Sequence, residues 1–161
     1  MMSRNILRIL AAALFAFAVA FGGPPARTLT GSMSNIKAGQ EINSAKGAAS
    51  GVTITLVLSA DGSSVAKVTI SVKEIKFEIK TPGYLSSGTG SGTNFYINGP
   101  FPIKNNAFKT PEASGANSAT GRFISPTEAQ GTAHLYDMTE KVGYQYFPID
   151  LGEWQWKATA K

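Results

Sequence analysis

From residue 51 onward the chain is patterned with a period of two. GVTITLVLS sets Val52, Ile54, Leu56 and Leu58 on one face and Thr53, Thr55 and Val57 on the other, which is the alternation of a half-buried strand. Asp61-Gly62 follows, a dipeptide whose two residues both accept the left-handed backbone of a tight hairpin, and SVAKVTISVKEIKFEIK then alternates again. Within that second run Val68, Ile70 and Val72 hold even positions, whereas Ile75, Phe77 and Ile79 hold odd ones. The inward face therefore changes near Lys73-Glu74, which predicts a β-bulge or a strand crossing between sheets. At the far end GEWQWKATA places Trp154, Trp156, Ala158 and Ala160 opposite Glu153, Gln155, Lys157 and Thr159. Burial of both indoles between sheets is the simpler reading of that pattern.

The segments between these runs carry turn chemistry. After Thr81-Pro82-Gly83, the stretch SSGTGSGT reads as a mobile surface loop, because Gly and Ser offer little to pack. NFYINGPFPIKNNAFKT contains two hairpin dipeptides, Asn98-Gly99 and Asn105-Asn106. Pro100 and Pro102 are two residues apart, so both missing N–H groups fall on one side, and that strand is expected at a sheet edge. TGRFIS, a turn at Pro126 and GTAHLYD read as a hairpin, and Tyr144 to Ile149 as a further short strand. About eight strands and no amphipathic helix predict an antiparallel β-sandwich over residues 51–161, with a β-barrel as the alternative.

The first fifty residues read differently. Arg4 and Arg8 precede a continuous apolar run from Ile9 to Ala20, and Ala18-Val19-Ala20 offers small residues where a signal peptidase cuts. Residues 1–20 are read as a secretory signal peptide, too short in its apolar run for a bilayer span, and residues 21–50 as a linker or loosely ordered arm. The expected location is secreted or extracytoplasmic, in a periplasm or at a cell surface. A membrane enters only through a retained N-terminal segment.

Composition narrows the chemistry. The 161 residues include no cysteine and one histidine, His134, which removes disulfides, thiolate metal sites and cysteine nucleophiles, and leaves no multi-histidine metal centre. The formal charge of +5 becomes +3 without Arg4 and Arg8, with 13 basic against 10 acidic residues. The remaining lysines interleave with glutamates, as in Lys73, Glu74, Lys76, Glu78 and Lys80, rather than clustering with aromatics, so no nucleic-acid partner is expected. No cofactor is expected either.

Ile97-Asn98-Gly99 through Phe108, Gly121-Arg122-Phe123, Ser125-Pro126-Thr127, Gly131-Thr132 and the closing Trp154, Trp156 and Ala158 resemble small secreted prokaryotic β-sandwich domains of unassigned function. The resemblance spans roughly the last 70 residues and implies fold rather than activity.

Candidate chemistry is sparse. Tyr144 and Tyr146 share a strand face and, with Trp154, could form a stacking platform for a carbohydrate. The competing reading makes the tyrosines ordinary sheet-face residues or loop anchors. His134 shares a face with Thr132 and Tyr136 and could act as a general base oriented by Asp137 or another carboxylate, but no G-x-S-x-G elbow supplies a nucleophile. Asp150 and Glu153 are the acidic pair nearest an aromatic cluster, with a chance pairing as the simpler account. The expectation is a non-enzymatic structural or accessory interaction module whose partner is a protein or a cell-surface polymer. A carbohydrate-binding module is the alternative, and a small hydrolase the least favoured.

Overall fold

The computed structural model describes residues 28–142 and 145–160. They form nine antiparallel strands and, among the described residues, no helix. The strands are β1 (Thr28–Lys37), β2 (Ala45–Ser50), β3 (Thr53–Leu58), β4 (Ser64–Thr81), β5 (Tyr84–Pro102), β6 (Ala107–Lys109), β7 (Ser118–Ser125), β8 (Glu128–Val142) and β9 (Gln145–Ala160). They belong to one sheet, bent so that β2 comes against β9, where Gly47 lies beneath the side chains of Ile149 and Leu151. The sheet does not close, so the sandwich-like reading holds and the barrel alternative does not.

The order across the sheet explains where the core sits. β4 carries β5 on one edge, while β3 and β2 lie end to end along the other. β1 lies between β3 and β9, and β8, β7 and β6 follow in turn. Leu56, Leu29 and Ala160 are cross-strand partners, as are Ile54, Gly31 and Ala158. Each inward row thus continues from strand to strand into one buried cluster.

The sheet already includes strands ahead of residue 51, where the domain was expected to begin. Residues 28–50, read as a loose arm, supply β1 and β2, and β1 is a central strand with Leu29 fully buried. Its sequence TLTGSMSNIK hides this because only Leu29, Gly31 and Met33 face inward, and Gly31 lets the backbone of Lys157 approach closely. The signal-peptide segment, residues 1–20, lies outside the described residues.

The parity change in β4 is real, but no register shift accompanies it. Val68, Ile70 and Val72 are buried before Lys73, and Ile75 and Ile79 after it. Pairing with β5 keeps one register from Lys67 to Thr81, and β3 and β2 share one register along the other edge. Lys73 lies level with Gly51 on one side and Gly92 on the other, both at positive φ (60° and 72°). The sheet is creased across three strands at that level, and the crease exchanges the buried face without an inserted residue. In β9 the same exchange, from Ile149 and Leu151 to Trp154 and Trp156, does coincide with a register shift against β8, beside Gly152 at φ 87°.

Of four readings in the connecting segments, two hold and two do not. Pro100 and Pro102 do lie in an edge strand, since β5 pairs only with β4 among the described strands. Asn105-Asn106 forms the expected turn, with φ of 51° and 61°. Asn98-Gly99 instead stays within β5 beside a register shift, and the Gly/Ser stretch is no free loop, because Ser86 to Thr93 pairs along β4. Backbone pairing is indifferent to how little those side chains pack, and Gly88 leaves room for the Phe77 ring.

Candidate functional site

The charged and aromatic side chains that the fold gathers lie where β8 and β9 shift register. Leu135 pairs with Gly152 but Tyr136 pairs with Asp150, so one extra residue of β9 puts Asp150 on the same face as Tyr136 and His134. Its carboxylate is buried and fully engaged. Oδ1 accepts from His134 Nε2 at 2.8 Å and from the Gly152 N–H at 2.8 Å, and Oδ2 accepts from the Gln40 N–H at 3.0 Å. Burial opposes ionisation of Asp150, but the hydrogen bonds from Gln40, His134 and Gly152 outweigh it, and the carboxyl titrates below its ordinary range. The imidazole of His134 stacks on the Tyr136 ring, with centroids 4.5 Å apart and planes within 5°. Burial, reinforced by the negative charges of Asp150 and Glu153, holds the Tyr136 phenol protonated above its usual value.

A shallow depression of about 310 Å³ opens beside this cluster, lined by His134, Tyr136, Glu153, Glu112, Thr120 and Thr132 among others. Thr132 also borders a second, flatter groove of about 460 Å³ with Ser32, Ser34, Gln130, Gln155 and Lys157. The two form one polar surface on the side of the sheet away from the core. Cross-strand rows build it: Thr69, Thr55, Thr30 and Thr159 are successive partners across β4, β3, β1 and β9. Ser71, Thr53, Ser32, Lys157, Gln130 and Arg122 form the next row, which continues onto β8 and β7. Neighbouring hydroxyls satisfy one another in places, as Thr120 and Thr132 do at 3.0 Å.

Of the three aromatic residues expected to bind a sugar, Trp154 alone has its side chain among the described residues. Trp154 is 4% exposed and donates its indole N–H to the Leu151 carbonyl at 2.9 Å, so its ring belongs to the core. Trp156 is likewise buried, at 3% exposed. Tyr144 lies outside the described residues, and Tyr146 is placed by its backbone alone, opposite Lys141. His134 does meet a carboxylate, that of Asp150, while Glu153 is bound to Lys37 at 2.9 Å. Asp150 carried one usable signal in the sequence, an acid between two apolar residues, Ile149 and Leu151, in a strand.

No group of three or more His, Asp or Glu side chains gathers as a metal site among the described residues. Chemically, the His134–Asp150 pair is a brace: it ties the β1–β2 connection at Gln40 to β9. Comparison with protein-family models, with curated proteins and with solved structures finds no match.

Proposed function

We propose that this protein is a non-catalytic, extracytoplasmic structural or accessory module that works through its outer sheet face. The observation carrying the reading is the continuous polar surface from Ser32 and Lys157 to Thr120 and His134, built from hydroxyls and amides on rigid strands. Rigid, regularly spaced hydrogen-bonding groups suit recognition, since little conformational freedom is lost when a partner docks. What supports the non-catalytic reading is that both Asp150 oxygens already hold backbone or imidazole N–H groups. The N-terminal pattern of Arg4, Arg8 and the Ile9–Ala20 run supports an extracytoplasmic location.

The carbohydrate-binding alternative moves from Trp154 to this same face, where the stacked His134–Tyr136 pair borders a hydroxyl-rich groove. Affinity capture from envelope fractions with the wild type and with Thr132→Lys/Gln155→Lys tests both readings. One stoichiometric protein, lost with the double variant, supports the module reading. Retention on a glycan array, abolished by the same variant, selects the carbohydrate reading. Substrate turnover lost on His134→Ala would refute the non-catalytic assignment.

A further inference from the structure

Three strands, β2, β5 and β6, have a single partner among the described strands, and their edges are unequal. β6 is three residues long, whereas β5 is nineteen and pairs only with β4 among the described strands. Long edges are normally blunted by charge. β5 has none: from Thr81 to Ile103 the chain contains no Asp, Glu, Lys or Arg. Its prolines lie beyond Asn98, and Gly92 at positive φ interrupts it at the crease, so the straight, proline-free segment is Thr93 to Asn98. There Phe95 and Ile97 point to the core side, half-buried at its margin, while Asn94, Tyr96 and Asn98 are exposed on the other face. Tyr96 is 57% exposed, under the Lys67 ammonium at 4.3 Å.

We propose that this edge pairs with the same edge of a second copy of the chain, antiparallel, about a two-fold axis through Tyr96. The register is dictated by the faces. Opposed residues of an antiparallel pair point to the same side, so a two-fold that keeps both core sides together must place a residue opposite one of the same parity. Centring on Tyr96 sets Phe95 against Ile97 of the second copy, an aromatic–aliphatic pair that extends the core across the junction. It also sets Asn94 against Asn98 and Tyr96 against Tyr96, polar groups meeting on the outer face. Cross-strand pairs of these kinds are favourable, and the two-fold closes the assembly at a dimer because the pairing uses the same strand twice. The short β6 edge offers no comparable strand for head-to-tail growth. This association is independent of what binds the polar face, which lies mainly on β1, β8 and β9.

The chain has no cysteine, so one introduced thiol reports the register. Tyr96→Cys brings two Cα atoms to about 4.5–5.5 Å across the axis, within disulfide reach, and should yield a covalent dimer on mild oxidation. Sedimentation of the purified protein, in the form in which the producing cell processes it, should show a reversible dimer. Asn94→Lys/Asn98→Lys places like charges opposite one another twice and should weaken dimerisation at least tenfold. Asn94→Lys/Asn98→Glu places opposite charges there and should preserve or tighten it, with unchanged near-ultraviolet circular dichroism in both variants. A wild type that stays monomeric up to about 100 μM, equal behaviour of the two double variants, or no cross-link from Tyr96→Cys would each overturn the proposal. So would a monomer whose β5 edge takes up a different chain.

Discussion

Replacing Trp156 with alanine should be among the most damaging single changes available to this fold. The indole lies across a track of missing side chains. Its strand partner on β8 is Gly131, the next strand offers Gly121, and Phe108 closes the row with ring centroids 6.2 Å apart. A Cβ at Gly131 would stand 2.7 Å from the indole Cζ2, and one at Gly121 would stand 2.6 Å from it. The indole N–H donates to the Thr132 carbonyl at 3.2 Å. Aromatic-to-alanine changes in cores cost about 3–5 kcal/mol, and most where the surroundings cannot collapse. Two glycines have no side chains with which to fill the void, so the expected cost is in the upper half, about 4–5 kcal/mol. A domain with total stability of about 5–15 kcal/mol is left marginal by such a loss, and the melting midpoint should fall by about 8–20 °C. Urea titration followed by Trp154 fluorescence, with a parallel thermal melt, measures both. A double-mutant cycle sharpens the test: Gly121→Ala should harm the wild type more than the Trp156→Phe variant, with a coupling above about 0.5 kcal/mol. A Trp156→Ala midpoint equal to that of the wild type would refute the packing argument and return Trp156 to the surface.

Asp150, with its carboxyl held below the ordinary range, should stabilise the fold above its unfolded-state pKa and lose that contribution as pH falls through the lower folded value. Urea midpoints between pH 6 and pH 2 (approximate limits) should therefore drop more steeply for the wild type than for Asp150→Asn, and parallel curves would refute the brace. Thr110 is 1% exposed and its Oγ1 accepts the Ala119 N–H at 2.8 Å, so Thr110→Val orphans a buried donor and should cost about 1–3 kcal/mol in chemical denaturation. Natively processed protein should begin at Phe21, which an intact-mass measurement checks; a mass that includes residues 1–20 would show a retained segment.

Where the sequence was legible, one strand face carried its own signal. β3, the two halves of β4 and the end of β9 announce themselves by apolar residues at every second position, and both tryptophans follow from that parity. β1 did not, because a central strand needs large side chains only where neighbours leave space, and Gly31 fills its place with backbone contact. β5 was misread over its Gly/Ser half because its structure comes from β4, a partner whose sequence does the patterning for both. The same non-locality concealed the brace. His134 and Asp150 meet only because β9 gains a residue against β8 beside Gly152, and alternation along one strand does not say which residues of its partner such a shift sets opposite.

The first described strand is sealed by the last. Leu29 pairs with Ala160 and Met33 with Trp156, so a loop of about 130 residues must close before β1 gains its second neighbour. Such long-range pairing makes folding slow relative to chains dominated by local contacts. For a polypeptide threaded N-terminus first through a channel, this has a timing consequence. The central strand emerges early and waits, with one edge open, until the final residues arrive. Completion of the sheet waits on residues 153–160, and without them the strand segment that covers Leu29, Gly31 and Met33 is missing.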